Sequence, residues 1–289
     1  MARSSFDQFV GSADYVTDEA LRNAVNVSVV LQRPLLVRGE PGTGKTMLAH
    51  SIARGLGKKL LTWHIKSTTK AQEGLYLYDT VQRLNDSRFG DKNVSDIKAY
   101  IKLGKLGQSF VTDEQVVLLI DEIDKADLEF PNDLLNEIDE MSFHIPETAE
   151  TITARQRPIV VITSNAEKEL PDAFLRRCIF HYIEFPDPAQ METIIKVHFP
   201  EIQKNLLREA MKTFYVLRGI DEFKKKPSTS EFIDWIRALI AGGIPHEKIA
   251  KDVPYVGSLL KKESDYDYFA TRMGQKHQGR KADAYGMMY

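Results

Sequence analysis

Short apolar runs alternate with longer amphipathic stretches through most of the chain. The runs are Pro34–Val37, Leu60–Ile65, Val116–Ile120, Ile159–Thr163 and Ile179–Phe185. The first, third and fourth are nearly continuous Val, Ile and Leu, which suits strands covered on both faces, as in a parallel sheet. Helical patterns lie around and between them, over Asp18–Leu31, Thr46–Leu56, Glu129–Met141 and Pro171–Arg177. Strands alternating with helices predict an α/β layer fold.

The pattern changes after "EFPDPAQ" (Glu184–Gln190). Met191–Phe199, Ile202–Leu217, Ser230–Ala241 and Pro245–Asp252 read as helices with no strand between them. An α/β domain over residues 1–186 is therefore expected to precede a small all-helical domain over 187–265. Ser228 or Thr229 is the expected cap of the third of these helices. The stretch 266–289 is polar and aperiodic, and is expected to be mobile or to order only against a partner.

Composition narrows the class. Of 289 residues, 43% are hydrophobic and 28% charged, so the chain can bury a core and stay soluble. A net charge of -2 gives no overall basic surface for nucleic acid. Cys178 is the single cysteine, which excludes an intramolecular disulfide and suits a reducing compartment. The first residues have no apolar signal core, and no run approaches the ~18 apolar residues of a membrane helix. A cytoplasmic protein is expected, with no membrane contact.

The chemistry gathers at three strand ends. Gly39-Glu40-Pro41-Gly42-Thr43-Gly44-Lys45-Thr46 fits G-x-x-x-x-G-K-[ST] between a strand and a helix. Glycines let backbone N–H groups turn toward phosphate, and the helix adds its positive N-terminus. Lys45 is expected on the β- and γ-phosphates, and the Thr46 hydroxyl on Mg²⁺. Met47 extends the expected nucleotide contacts into the helix. Asp121 and Glu122 close the third strand: Asp121 is the expected second Mg²⁺ ligand and Glu122 the base that activates water. That doublet argues against a kinase or a Ras-like GTPase. Asn165 follows the fourth strand, at the edge where the γ-phosphate should lie. Arg176 and Arg177 follow on a short helix, placed to reach the nucleotide of a neighbouring subunit. Such a finger is worth 10³–10⁵ in rate, about 4–7 kcal/mol of barrier. Cys178 reads as a small core residue. His64 and His144 read as structural or surface residues, and Lys224–Lys226 as a solvated turn.

Phosphate loop, Asp-Glu strand end, strand-end Asn and downstream Arg, ahead of a helical region, together resemble the AAA+ ATPases over roughly residues 10–265. Within that group, "YVTDEALRNAVNVSVVLQRPLLVRGEPGTGKT", "LLIDEIDKA" and "ELPDAFLRRC" are similar to the MoxR-type, dynein-related branch. The resemblance implies a five-stranded parallel sheet of order 5-1-4-3-2 with a helical lid. It implies ATP bound between subunits of a ring, usually a hexamer. It makes Lys45 and Thr46 Walker A residues, Asp121 and Glu122 Walker B, and Asn165 sensor 1. Arg177 becomes the arginine finger, with Arg176 the alternative, and Tyr15 and Val16 fall near the adenine. Residues 66–108 match an insertion in the second helix, and 142–156 a hairpin before sensor 1. Two departures stand out: Arg176-Arg177-Cys178 replaces the branch's Asp-Arg-Phe, and Glu231 occupies the usual place of a sensor-2 arginine, with Arg237 the nearest arginine.

The implied activity is Mg²⁺-dependent ATP hydrolysis that remodels a partner protein, in this branch often one with a von Willebrand A domain. A nucleic-acid motor or loader is a rival reading, opposed by the net charge and by Glu147 and Glu150 in the hairpin. A nucleotide-gated scaffold with little turnover is another, opposed by Glu122, Asn165 and the arginine pair.

Overall fold

The computed structural model describes residues 8–90 and 94–272. Its contacts divide the chain into two compact units, one ending at Glu184 and the other starting at Phe185.

The first unit is built on a five-stranded parallel sheet. Helix α1 (Glu19–Leu31) leads into β1 (Leu35–Gly39), α2 (Lys45–Gly55) and β2 (Leu60–His64). Next come α3 (Ala71–Leu75), β3 (Tyr76–Tyr78), α4 (Thr80–Phe89), β4 (Ile101–Leu103) and α5 (Lys105–Val111). Then follow β5 (Val117–Asp121), α6 (Phe130–Asp133), α7 (Leu135–Glu140), β6 (Ser142–Ile145) and β7 (Glu150–Thr153). Strand β8 (Ile159–Ser164), α8 (Asp172–Leu175) and β9 (Ile179–Ile183) complete the unit. The sheet order is β2-β5-β8-β1-β9. Counting only the sheet's own strands along the chain, that is 5-1-4-3-2, as the resemblance implies.

Side-chain alternation explains why the strands read as unbroken apolar runs. Leu35, Val37, Val117, Leu119 and Val161 face one side, where Leu21 and Val25 of α1 and Leu48 and Ile52 of α2 pack on them. Leu36, Leu118, Ile120, Val160 and Ile162 face the other, against Trp63, Phe110 and Phe174. Strands β1, β5 and β8 are covered on both faces and need no polar side, whereas the edge strands β2 and β9 keep exposed positions. The parallel register sets His64 beside Asp121, Arg38 beside Ser164 and Gly39 beside Ile183. The carboxyl ends of all five strands therefore share one edge, where open α/β sheets bind ligands.

Two stretches leave this layer. Within 66–108, β3 and β4 pair antiparallel and flank α4. Strands β6 and β7 form an antiparallel hairpin ahead of β8. The continuous helix expected over Glu129–Met141 is two short helices, α6 and α7, meeting at Leu134. Pro131 lacks an N–H and fits only a first turn, and Asn132 and Asp133 are poor helix formers, so the pattern is interrupted where periodicity alone would continue it.

The second unit is helical: α9 (Pro188–His198), α10 (Lys204–Arg218), α11 (Thr229–Ala241) and α12 (His246–Asp252). Phe214, Phe232, Trp235 and Ile236 are fully buried in its core. The Phe214 and Phe232 rings stack with centroids 4.2 Å apart. The expected cap of α11 is present as a capping box of Ser228 and Glu231. Residues 263–272 also form a helix, so the stretch expected to be mobile from Tyr266 is ordered as far as residue 272. Asp265 explains this: it is buried and accepts the backbone N–H groups of Lys224 and Lys225, each at 3.0 Å. Tyr268 meets the Phe223 ring edge-on. The remainder of that stretch, 273–289, lies outside the described residues. No helix among the described residues is long and apolar enough to cross a membrane.

Candidate functional site

The turn between β1 and α2 is a glycine-shaped cradle. Gly42 (φ 78°) and Gly44 (φ 89°) are left-handed, a region that L side chains adopt at a cost. A Cβ on Gly44 would also press on the Tyr15 ring at 3.3 Å. Tyr15 thus lies directly against the loop, and Val16 follows it half-buried. The Thr43 hydroxyl closes the turn on the Glu40 carbonyl at 2.8 Å. Glu40, Pro41 and Met47 stand exposed around the cradle.

Lys45 is buried, and its Nζ donates to the carbonyls of Gly39 (2.8 Å) and Glu40 (2.9 Å). An ammonium has three protons to donate, so one remains for a ligand beyond these two carbonyls. Burial lowers the Lys45 pKa, while Asp124, Glu122, Asp121 and Glu40, in that order, favour its charged form.

Asp121 is the meeting point of three strands. Its Oδ1 accepts from the Thr46 hydroxyl (3.0 Å) and the Thr163 hydroxyl (2.7 Å). His64 Nδ1 lies 3.1 Å from its Oδ2. Thr163 also accepts the Glu122 N–H at 2.8 Å, and that bond holds Glu122 in a left-handed conformation (φ 60°, ψ 52°). A non-glycine residue there costs on the order of 1–3 kcal/mol and persists only where its surroundings impose it. The result turns the Glu122 carboxylate out of the strand. Its Oε2 pairs with Lys125, raising the Lys125 pKa, and its Oε1 accepts from Asn165 Nδ2 at 3.2 Å.

The residues suit a nucleotide triphosphate and Mg²⁺. Hydroxyl and carboxylate oxygens in contact are hard donors of the kind Mg²⁺ takes in small number, with water and phosphate supplying the rest. Among the described residues no group of three or more His, Cys, Asp or Glu side chains could cage a metal without such help. Thr46 and Asp121 would hold the ion, and Lys45 and the cradle N–H groups the phosphates.

The family model of the "ATPase family associated with various cellular activities (AAA)" matches residues 35–187, just over half of the chain. The chain belongs to the AAA family. A comparison with curated proteins finds no match. The matched span of this AAA protein holds the whole cradle, Asp121, Glu122, Asn165 and both arginines.

The expected residues do not all converge. Thr46, Asp121, Glu122 and Asn165 form one connected set through Thr163, and Lys45 precedes Thr46 in the cradle, bonded to the Gly39 and Glu40 carbonyls. Arg177 is tied within its own unit, through Nε to Asp139 and through Nη1 to the Ala173 carbonyl at 2.8 Å. Arg176 is exposed; its N–H donates to the Asp172 carbonyl at 3.0 Å and its carbonyl accepts from Arg33. Neither arginine is among the hydrogen-bond partners of the connected set in the described residues. Glu231, at the sensor-2 place, accepts from the Ser228 N–H at 2.8 Å and from Lys225, so it works as a helix cap. Cys178 is half-buried and bonds the Phe174 carbonyl, and burial pushes its thiol up to about 12.

Sequence reasoning missed three members. Thr163 looked like one more β-branched residue of a buried strand. His64 carried no motif, and only the register between β2 and β5 brings it to Asp121. Asp124 had a signal, a third acid in "IDEID", that was not used.

Proposed function

We propose that this AAA protein is a MoxR-type, Mg²⁺-dependent ATPase that works as a ring, six subunits being the expected number, and remodels a partner protein. The observation that carries the reading is the connected set in which Thr46 meets Asp121 while Asn165 meets Glu122. Bound Mg²⁺ offsets negative charge that develops on the phosphate oxygens. Lys45 directs its remaining proton to the same oxygens. A carboxylate has about four acceptor sites, so Glu122 keeps room for a water while bonded to Lys125 and Asn165. Glu122 then takes the water's proton as the oxygen attacks the γ-phosphorus and the bond to the β–γ bridging oxygen breaks, leaving ADP and phosphate, while the Asn165 amide holds that carboxylate in place. Arg177 or Arg176 of a neighbouring subunit stabilises the transition state. Tyr15, beside Gly44, and Val16 bound the adenine side.

Partner contact has a physical support in α4. This helix packs through its polar side, with Arg83 bonding Tyr78 and the Val94 carbonyl and Asp86 accepting from Tyr100. Val81, Leu84 and Phe89 are exposed, with Leu77 beside them on β3. A helix that turns apolar residues outward suits contact with another protein, and a von Willebrand A domain is the expected client.

The test is ATP turnover per protomer against protein concentration, for wild type and Glu122→Gln. Turnover per protomer should rise with concentration, and the Gln variant should bind ATP yet lose on the order of 10²–10³ in rate. Turnover that is flat with concentration and indifferent to Glu122 would remove the shared-site mechanism and favour the nucleotide-gated scaffold.

A further inference from the structure

Asp124 lies in the single 3-10 turn Ile123–Lys125 that follows β5, and it is 2% exposed. A carboxylate in that position needs donors to offset the water it has lost. It finds them in the loop after β8. The Asn165 N–H reaches both oxygens, at 3.3 and 3.1 Å, and the Glu167 N–H reaches Oδ2 at 2.9 Å. Lys168 Nζ joins the same two segments by donating to the Ala126 carbonyl at 2.7 Å.

That loop does not hold its own shape. Ala166 sits at φ 59°, a left-handed conformation unfavourable for alanine. The Ala166 N–H donates locally to the Ser164 hydroxyl at 3.0 Å. The bonds to Asp124 come from the residues on either side of Ala166, where they oppose relaxation of the loop. The Asn165 side chain is at the same time bonded to Glu122, two residues before Asp124. The turn after β5 thus grips Asn165 twice, by its backbone through Asp124 and by its amide through Glu122.

We propose that Asp124 is a positioning residue, which clamps the loop after β8 so that the Asn165 amide meets the Glu122 carboxylate. It touches neither water nor phosphate and acts through Asn165. The inference rests on the reading of Glu122 and Asn165 given above.

The experiment compares Asp124→Asn with Asn165→Ala, Glu122→Gln and the double variant Asp124→Asn/Asn165→Ala, with three readouts. In nucleotide-free protein, amide exchange across residues 164–168 should speed up at least about tenfold in Asp124→Asn, because one acceptor then serves three N–H contacts. Affinity for a fluorescent ATP analogue should stay within about threefold, while kcat falls at least about tenfold. The double variant should be no slower than Asn165→Ala, since the two residues act as a unit. Unchanged exchange, unchanged kcat, or affinity and melting temperature falling in step with kcat would each overturn the proposal. Should Asp124→Asn not fold, Asp124→Ser keeps one acceptor and is read in the same way; if neither folds, Asp124 is structural and the proposal fails. If Glu122→Gln and Asn165→Ala keep wild-type turnover, the underlying assignment of those two residues falls, whatever Asp124 does.

Discussion

Lys45 shows how one residue can carry two opposing demands. It must be charged to meet phosphate, yet it is buried, and burial disfavours charge. The carbonyls of Gly39 and Glu40 and the nearby carboxylates offset that cost. Lys45→Ala removes the buried cation of the phosphate cradle. With charge-assisted bonds worth ~1.5–3 kcal/mol each, binding of a fluorescent ATP analogue should weaken by about two orders of magnitude, and wild-type affinity would take Lys45 out of the site. Cys178 makes the contrasting prediction. A thiol pushed up to about 12 holds on the order of one thiolate in ten thousand at pH 8. Alkylation by iodoacetamide in the folded protein should therefore be at least about a hundredfold slower than in urea; equal rates would show that the thiol is not protected.

Helix ends decide several features at the scale of elements. The Ser228 hydroxyl and the Glu231 carboxylate cap the start of α11 in both directions. Ser228→Ala should cost about 1 kcal/mol, visible as a lower urea midpoint of the helical unit; an unchanged midpoint would mean that the cap contributes nothing. Asp265 stabilises the neighbouring turn and has a pH signature. Burial raises its pKa, but the N–H groups of Lys224 and Lys225 lower it further, so the net value lies below the ordinary one. A carboxyl whose folded pKa is depressed adds stability above its unfolded pKa of about 3.9 and loses it as pH falls through the lower folded value. The destabilisation caused by Asp265→Asn should thus be full at pH 6–7 and shrink below about pH 4; a pH-independent difference would contradict the assignment. The inner strands β1, β5 and β8 were legible as elements because burial on both faces forces unbroken apolar runs. The break at Leu134 and the helix 263–272 were not, since one depends on local propensity inside a good periodic pattern and the other on a buried acid reaching back to residues 224–225.

In the molecule as a whole, each unit carries its own core, and each should report its own damage. Trp235 is fully buried in the helical unit, and Trp235→Ala should cost ~3–5 kcal/mol there, measured as loss of the protected amides of α10 and α11 in hydrogen exchange. Unaltered protection would show that the Phe214–Phe232–Trp235 cluster is not what holds that unit together. The chain by itself determined the phosphate cradle, because its eight residues are contiguous and their glycines, lysine and threonine have one shared use. It likewise determined the α/β class, through strand and helix periods that need no tertiary knowledge. What surrounds the cradle was decided only in three dimensions. Parallel pairing joins strands far apart in sequence, and it brings Thr46, His64 and Thr163 within hydrogen-bond reach of the Asp121 carboxylate. The same pairing sets the turn after β5 beside the loop after β8, so that Asp124 can hold Asn165. A motif records which groups are present; the register of long-range pairing decides which of them meet.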